Sequence, residues 1–344
     1  MSHALLRGPF GITWRRSLAV ATLPTLLAAG VCWLSLPTPL ATPDLEAQGA
    51  AAAPLVTIPI AVAALLTALA AVRSWPLFAR ERPGADVVQR LARGPWAGNG
   101  AAVAGAVLAQ LVLTLPLALL LVPGLGAPAT AHAVHDAVPP PTPLLTATGP
   151  ALQWGCPTTA ACDLVRVRVT ALLPEGPLLP TTVRLQVDDE VVLATSPGLA
   201  DTGQTVAATF APRRVGTLTI TPVAGTVPLW LPRGAVQWSE AAAHSTLANT
   251  LWAVLLSLLP TFAALALGAV AGRVATLPTV QLLVGAGLFV LTIGDAGPFG
   301  AVWRAVWRGQ WLASHQVLAV CLPLLAVGSV AMMLAMRRRP GGRR

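Results

Sequence analysis

In this 344-residue chain, His132-x-x-His135-Asp136 sets two imidazoles and a carboxylate within five residues. On a helix the two imidazoles would share a face and could hold a divalent ion. The alanines around them and the prolines that follow favour an irregular linker instead, and no further ligand stands at workable spacing. Cys156 and Cys162 offer a second chemistry. They read as a small disulfide loop in an oxidising compartment, as free thiols, or as half of a metal site, and no second cysteine pair lies nearby to complete the last. His-Glu-x-x-His, Gly-x-Ser-x-Gly and an acidic pair inside an apolar run are all absent. All 22 basic residues are arginine. A phosphate-binding loop needs its lysine, so ATP is not hydrolysed by such a motif here. No catalytic residue, metal or cofactor is expected, and the chain is not read as an enzyme.

Two further groups have spacing that suits binding. Trp303, Trp307 and Trp311 recur every four residues, and Arg304 and Arg308 follow the same period. A helix would line the indoles along one stripe with the guanidiniums beside it, as in a helix lying among lipid headgroups. The bland reading is a membrane anchor. The sharper one is that the arginine pair meets an anionic headgroup. Between Arg73 and Gly100, the stretch from Asp86 to Gly94 can form a short helix with Val87, Val88 and Leu91 on one face, Asp86 in its first turn and Arg93 in its last. It reads equally as a helix that docks into a partner protein and as an interfacial segment of a solvated loop.

The elements that must position these groups are set by hydropathy. Charged residues make up 10% of the chain and hydrophobic ones 55%, with a mean hydropathy of +0.71, whereas a soluble domain carries about 25% charge. The bilayer is the expected solvent. Uncharged apolar runs at 17–36, 51–72, 101–122, 247–272, 277–293 and 317–336 are each read as spanning roughly 30 Å of hydrocarbon at about 1.5 Å per residue. The fifth is the shortest. The expected architecture is an α-helical polytopic membrane protein with six transmembrane helices. Fourteen arginines fall in the short connections on one side and two, Arg304 and Arg308, on the other. The positive-inside rule then places both chain ends in the cytoplasm. A cleavable signal peptide is the rival reading of the first run, but a small-x-small cleavage site is lacking and five more runs follow. The formal charge of +9 is explained by this topology and not by nucleic acid, since the arginines flank apolar runs.

Residues 123–246 differ. A Pro-rich linker (138–143) leads into alternating segments read as strands at 164–172, 182–187, 191–195, 205–210, 217–221 and 227–231. This is an inserted all-β sandwich or jellyroll, placed outside the cytoplasm. The membrane domain is thus split into residues 1–122, with the cytoplasmic loop 73–100, and residues 247–344, which end in a basic tail. Its spans hold almost no ionisable group, which argues against ion coupling. Their polar residues include Gln110, Asn249 and Gln281, and Gly268 and Gly272 make a small-xxx-small pattern for close helix approach.

Three spans, a β domain and three more spans is a plan similar to that of the lipopolysaccharide-export permeases, the transmembrane subunits of an ABC exporter. Asp86 to Gly94 resembles that family's acidic residue eight positions before a glycine, in the helix that contacts the ATPase. Gly272-Arg273 and Arg337-Arg338-Arg339 look like its second half. A second resemblance, of Arg80-Glu-Arg-Pro-Gly84 followed by Pro95, is to ABC-2-type permeases. Both imply a cytoplasmic ABC ATPase on another chain, a second permease subunit, a lipid or glycolipid substrate, and an inner-membrane location with the β domain in the periplasm. The reading from a different class is a membrane-anchored extracytoplasmic binding or assembly protein.

Overall fold

The computed structural model describes residues 9–34, 45–74, 100–124, 127, 129–141, 144–146, 149–156, 163–171, 182–195, 204–223, 229–231, 234–272, 275–293, 298–307, 309–312 and 315–336. The chain divides into two units. One is helical, from Met1–Ala129 and Ser245–Arg344, and the other, Thr130–His244, is built of strands.

Helices of the first unit are α1 (Pro9–Leu34), α2 (Leu45–Ser74), α3 (Ala101–Gly124), α4 (Thr246–Ser257), α5 (Leu259–Ala271), α6 (Leu277–Ile293), α7 (Pro298–Trp307) and α8 (His315–Met336). Four segments are long and apolar enough to cross a membrane: Pro9–Leu34, Pro54–Ser74, Ala101–Gly124 and Thr246–Ala271. Leu277–Leu291 and Cys321–Ala335 are shorter apolar helical stretches. Helices therefore occupy all six apolar runs. What reads as one run at 247–272 is two helices, broken at Leu258 with Pro260 in the first turn of α5. Proline has no N–H to give to the preceding turn, so the break falls where the sequence places it.

The faces of α1 show how such helices pack without a hydrophobic drive between them. Thr13, Ser17, Ala21, Thr25, Ala29 and Cys32 are buried, a stripe of small side chains at near i, i+4 spacing. Leu23, Leu27 and Val31 point outward and are exposed. Small residues let backbones approach, and large ones face the apolar solvent. Hydroxyls on the inner faces return to their own helices: Thr67 Oγ1 donates to Ala63 O (2.7 Å) and Thr114 Oγ1 to Gln110 O (2.9 Å). Ser17 Oγ instead crosses to Thr67 O of α2 at 3.1 Å. α2 is the hub, packing on α1, α3, α5, α6 and α7.

Asn249 holds the chain after α7 in place. Its Nδ2 donates to Gln310 O and its Oδ1 accepts from the Leu312 N–H, each at 2.9 Å, and the side chain is buried. Asn249→Ala leaves both backbone groups unpaired. It is expected to lower stability by about 1–3 kcal/mol, read as the unfolding midpoint of the detergent-solubilised protein; an unchanged midpoint would remove this clamp from the account.

The second unit is a two-sheet sandwich. Strands β1 (Thr130–Asp136), β10 (Val236–Ser245), β4 (Asp163–Ala171) and β7 (Gln204–Arg214) form one sheet in that order. The other is β3 (Leu152–Gly155), β8 (Thr217–Pro222), β5 (Thr182–Val187) and β6 (Glu190–Thr195). Short β2 (Leu144–Leu145) and β9 (Leu229–Trp230) pair separately. The long strands pair β1 with β10, β3 with β8, β4 with β7 and β5 with β6, which is a single long hairpin folded over on itself, the winding of a jelly roll. Its first and last strands are neighbours, so the polypeptide enters and leaves the unit side by side, as an inserted domain requires.

Trp154, Trp238, Leu164, Val167, Leu185, Leu218 and Ile220 fill the space between the sheets. Leu164 and Val167 both point inward despite their odd separation, because the β4–β7 register slips between Leu164 and Arg166 and turns the chain over. The β5–β6 hairpin closes at Asp188-Asp189, with Asp188 at φ 51, the left-handed conformation a two-residue turn needs. Arg213 pairs there with the Glu190 carboxylate.

Four strands stand where the pattern showed none: β1, the two-residue β2, β3 and β10. The Pro-rich segment accordingly does not precede the β unit: β1 comes before it, and its first residue, Val138, is bridged to Gly155.

Candidate functional site

A groove of about 850 Å³ runs between α1, α2 and α6, open along one side. Leu65, Leu69 and Arg73 follow one another at i, i+4 on α2, and Gln281, Gly285 and Phe289 do so on α6, so each helix offers one continuous wall. Val20 of α1 closes the third side. The lining is apolar except for Arg73 and Gln281. Ala68, Ala71 and Val72, late in α2, pack in one cluster with Val280 and Val284, early in α6. Val56 and Ile60, early in α2, pack with Val302 to Trp307, which follow α6. The two helices therefore run antiparallel, and both polar groups fall at the same end. Gly285 forms the floor, where a Cβ would sit 3.8 Å from Leu69 Cδ2, in ordinary contact.

Elsewhere in the helical unit, the break between α4 and α5 is tied by a small polar node. Gln110 Nε2 donates to Ser257 O at 3.2 Å, and Trp303 Nε1 donates to Ser257 Oγ at 3.1 Å. Ser257 Oγ in turn donates to Ala253 O at 2.7 Å. All three side chains are buried. Chemically this node positions helices; it holds no titrating group.

The structure redistributes the residues that the sequence pointed to. Trp303 and Trp307 are not turned to the surface: they are 0% and 3% exposed and sit in the core with α2, α3 and α4. This corrects the expectation of a headgroup-level indole stripe. Val302, Ala305 and Val306 flank the indoles and widen the apolar face, which then buries against the neighbouring helices with Arg304 to one side. Arg304 is half-buried, Trp311 lies half-buried past the end of α7, and Arg308 lies outside the described residues. So does the whole Asp86, Val87, Val88, Leu91 and Gly94 segment. Cys156 is disulfide-bonded, and its expected partner Cys162 is outside the described residues.

His132, His135 and Asp136 lie on β1, not in an irregular linker. Spacing of three on a strand sends the two imidazoles to opposite faces. Both are nonetheless engaged by one residue of β10: His135 with Glu240 Oε1 at 2.7 Å and His132 Nδ1 with Glu240 O at 2.9 Å. Gln237 donates to Asp136 Oδ1 at 2.9 Å. These side chains stitch the first strand to the last. Among the described residues no three His, Cys, Asp or Glu side chains come together as a metal site.

Four helical segments long and apolar enough to cross a membrane, with a separate jelly roll, make this a helical membrane protein carrying a β domain. No known protein family matches the chain, and no curated protein does.

Proposed function

We propose that the chain is the permease subunit of an ABC exporter, moving a lipid or lipopolysaccharide-like substrate out of the inner membrane with energy from an ATPase on a separate chain. The observation that carries this reading is the jelly roll inserted between two helical halves, with its first and last strands paired. It is the plan that the resemblance to lipopolysaccharide-export permeases implies. In this reading all six apolar helices span the membrane, both chain ends are cytoplasmic and the β unit is periplasmic. A second permease copy or homologue completes the path. ATP-driven movement of the partner acts on Asp86 to Gly94 and is passed through packed helices.

The test is affinity purification of the full chain from native membranes in mild detergent, with mass spectrometry of what comes along. A stoichiometric nucleotide-binding chain is expected. Asp86→Asn and Leu91→Asp should each lower its recovery about tenfold, the effect of losing roughly 1.4 kcal/mol at an interface. A lone protein in several detergents would sink the exporter and favour a membrane-anchored binding protein. That second reading has one observation of its own: Val191 and Leu193 stand exposed on β6, at the end of its sheet.

A further inference from the structure

We infer that the groove between α1, α2 and α6 binds an anionic glycerophospholipid, with acyl chain along the apolar walls and phosphate at Arg73. The two polar groups of the groove are donors that lack acceptors. Arg73 is exposed, and among the described residues it makes no ion pair or hydrogen bond; the half-buried Gln281 amide likewise makes none. An arginine offers five N–H donors and no acceptor, so what it pairs with at the mouth of the groove is an acceptor group. Its planar fork suits a phosphate. The end of α2 does not consume that charge locally: Ser74 Oγ donates to Ala71 O at 3.2 Å, covering one of the carbonyls free at a helix terminus.

Leading away from Arg73, the walls are aliphatic and aromatic for more than two helical turns, from Gln281 to Phe289 on α6. Such a surface is dry and accepts a chain of methylenes. A groove of about 850 Å³ lies within the roughly 300–1,000 Å³ of pockets that take small organic ligands. An amphiphile with one charged end matches both parts: a lipid without phosphate leaves Arg73 unpaired, and in a zwitterionic one the headgroup's own cation offsets the phosphate charge that Arg73 would meet. Lipid binding here names the class of molecule that the exporter would handle; it rests on that reading only for what becomes of the lipid afterwards.

The experiment uses the full chain reconstituted in vesicles of equimolar phosphatidylglycerol and phosphatidylcholine, re-extracted in mild detergent, with retained lipid counted by native mass spectrometry. Wild type should keep phosphatidylglycerol over phosphatidylcholine about fivefold, as one arginine near the bilayer surface provides. Arg73→Gln should bring the ratio close to one and Arg73→Lys should keep it. Gly285→Leu should lower retention of both lipids by filling the floor. Equal retention of the two lipids by wild type overturns the inference. So does a ratio unchanged in Arg73→Gln, or cross-linking of Leu282 to a second copy of the chain with no lipid retained. Arg73 is exposed, so its variants test the site even where Gly285→Leu does not fold. An ATPase scored in the native-membrane purification keeps the readings apart: phosphatidylglycerol retained with no ATPase removes the exporter and leaves the site standing.

Discussion

Trp303→Ala is expected to destabilise the helical unit by about 3–5 kcal/mol, the range for emptying a fully buried tryptophan site. The indole is 0% exposed and packs with Val56 and Ile60 of α2, Ala118 and Val122 of α3 and Ala253 of α4. In lipid there is no solvent-driven force to compensate, so the loss is of dispersion contacts and of shape. The Ser257 hydroxyl also loses its donor. Trp303→Phe separates the two contributions: it keeps most of the ring volume and should cost only about 1 kcal/mol for the hydrogen bond and a small void. Denaturant unfolding in detergent, followed by far-UV circular dichroism, measures both. A headgroup anchor would behave otherwise, with both variants near wild type, because a surface indole leaves no cavity. That result would return Trp303 to the membrane interface.

The second large effect is at Gly105 on α3. A Cβ there would meet Phe10 O at 2.6 Å and Thr13 Oγ1 at 2.5 Å. The threonine can turn, but the Phe10 carbonyl is backbone and can yield only if α1 and α3 separate. Gly105→Ala therefore carries an informative sign. In an open helix the change stabilises by up to about 1 kcal/mol. Here the crossing should reverse it to a net loss of about 1–3 kcal/mol, with Gly105→Val worse. Since α1 also supplies Val20 to the groove, the valine variant should lose lipid retention along with stability. An alanine variant more stable than wild type would mean that the two helices do not approach so closely.

What could be read from the chain by itself follows from short-range physics. Apolar length located every helix that the structure shows in the six runs, because a backbone in hydrocarbon must satisfy its own hydrogen bonds within each segment. Alternation found β4, β5, β6, β7 and β8, whose Val, Leu and Ile residues mark one face in period two. It missed β1 and β10, because Thr-Ala-His-Ala-Val-His-Asp has few β-branched or aromatic side chains and β10 alternates only over Val236-Gln237-Trp238 before running into Ser-Glu-Ala-Ala-Ala-His-Ser. Those strands exist through each other: pairing over a sequence distance of about a hundred residues, with the His135–Glu240 contact across it, leaves no local trace. The same is true of the candidate site. Gln281 was legible as a polar residue in an apolar run, and Arg73 as a flanking charge. Their convergence at one end of a groove depends on α2 and α6 lying antiparallel, which no periodicity encodes. Likewise the Trp303, Trp307 repeat has the period of a helix stripe, and that period is the same whether the stripe faces lipid headgroups or a core. Local sequence determined where the apolar helices and the central strands of the β unit lie and how polar each face is. Tertiary packing decided which face is inside, because burial depends on what neighbouring elements offer and not on the segment itself.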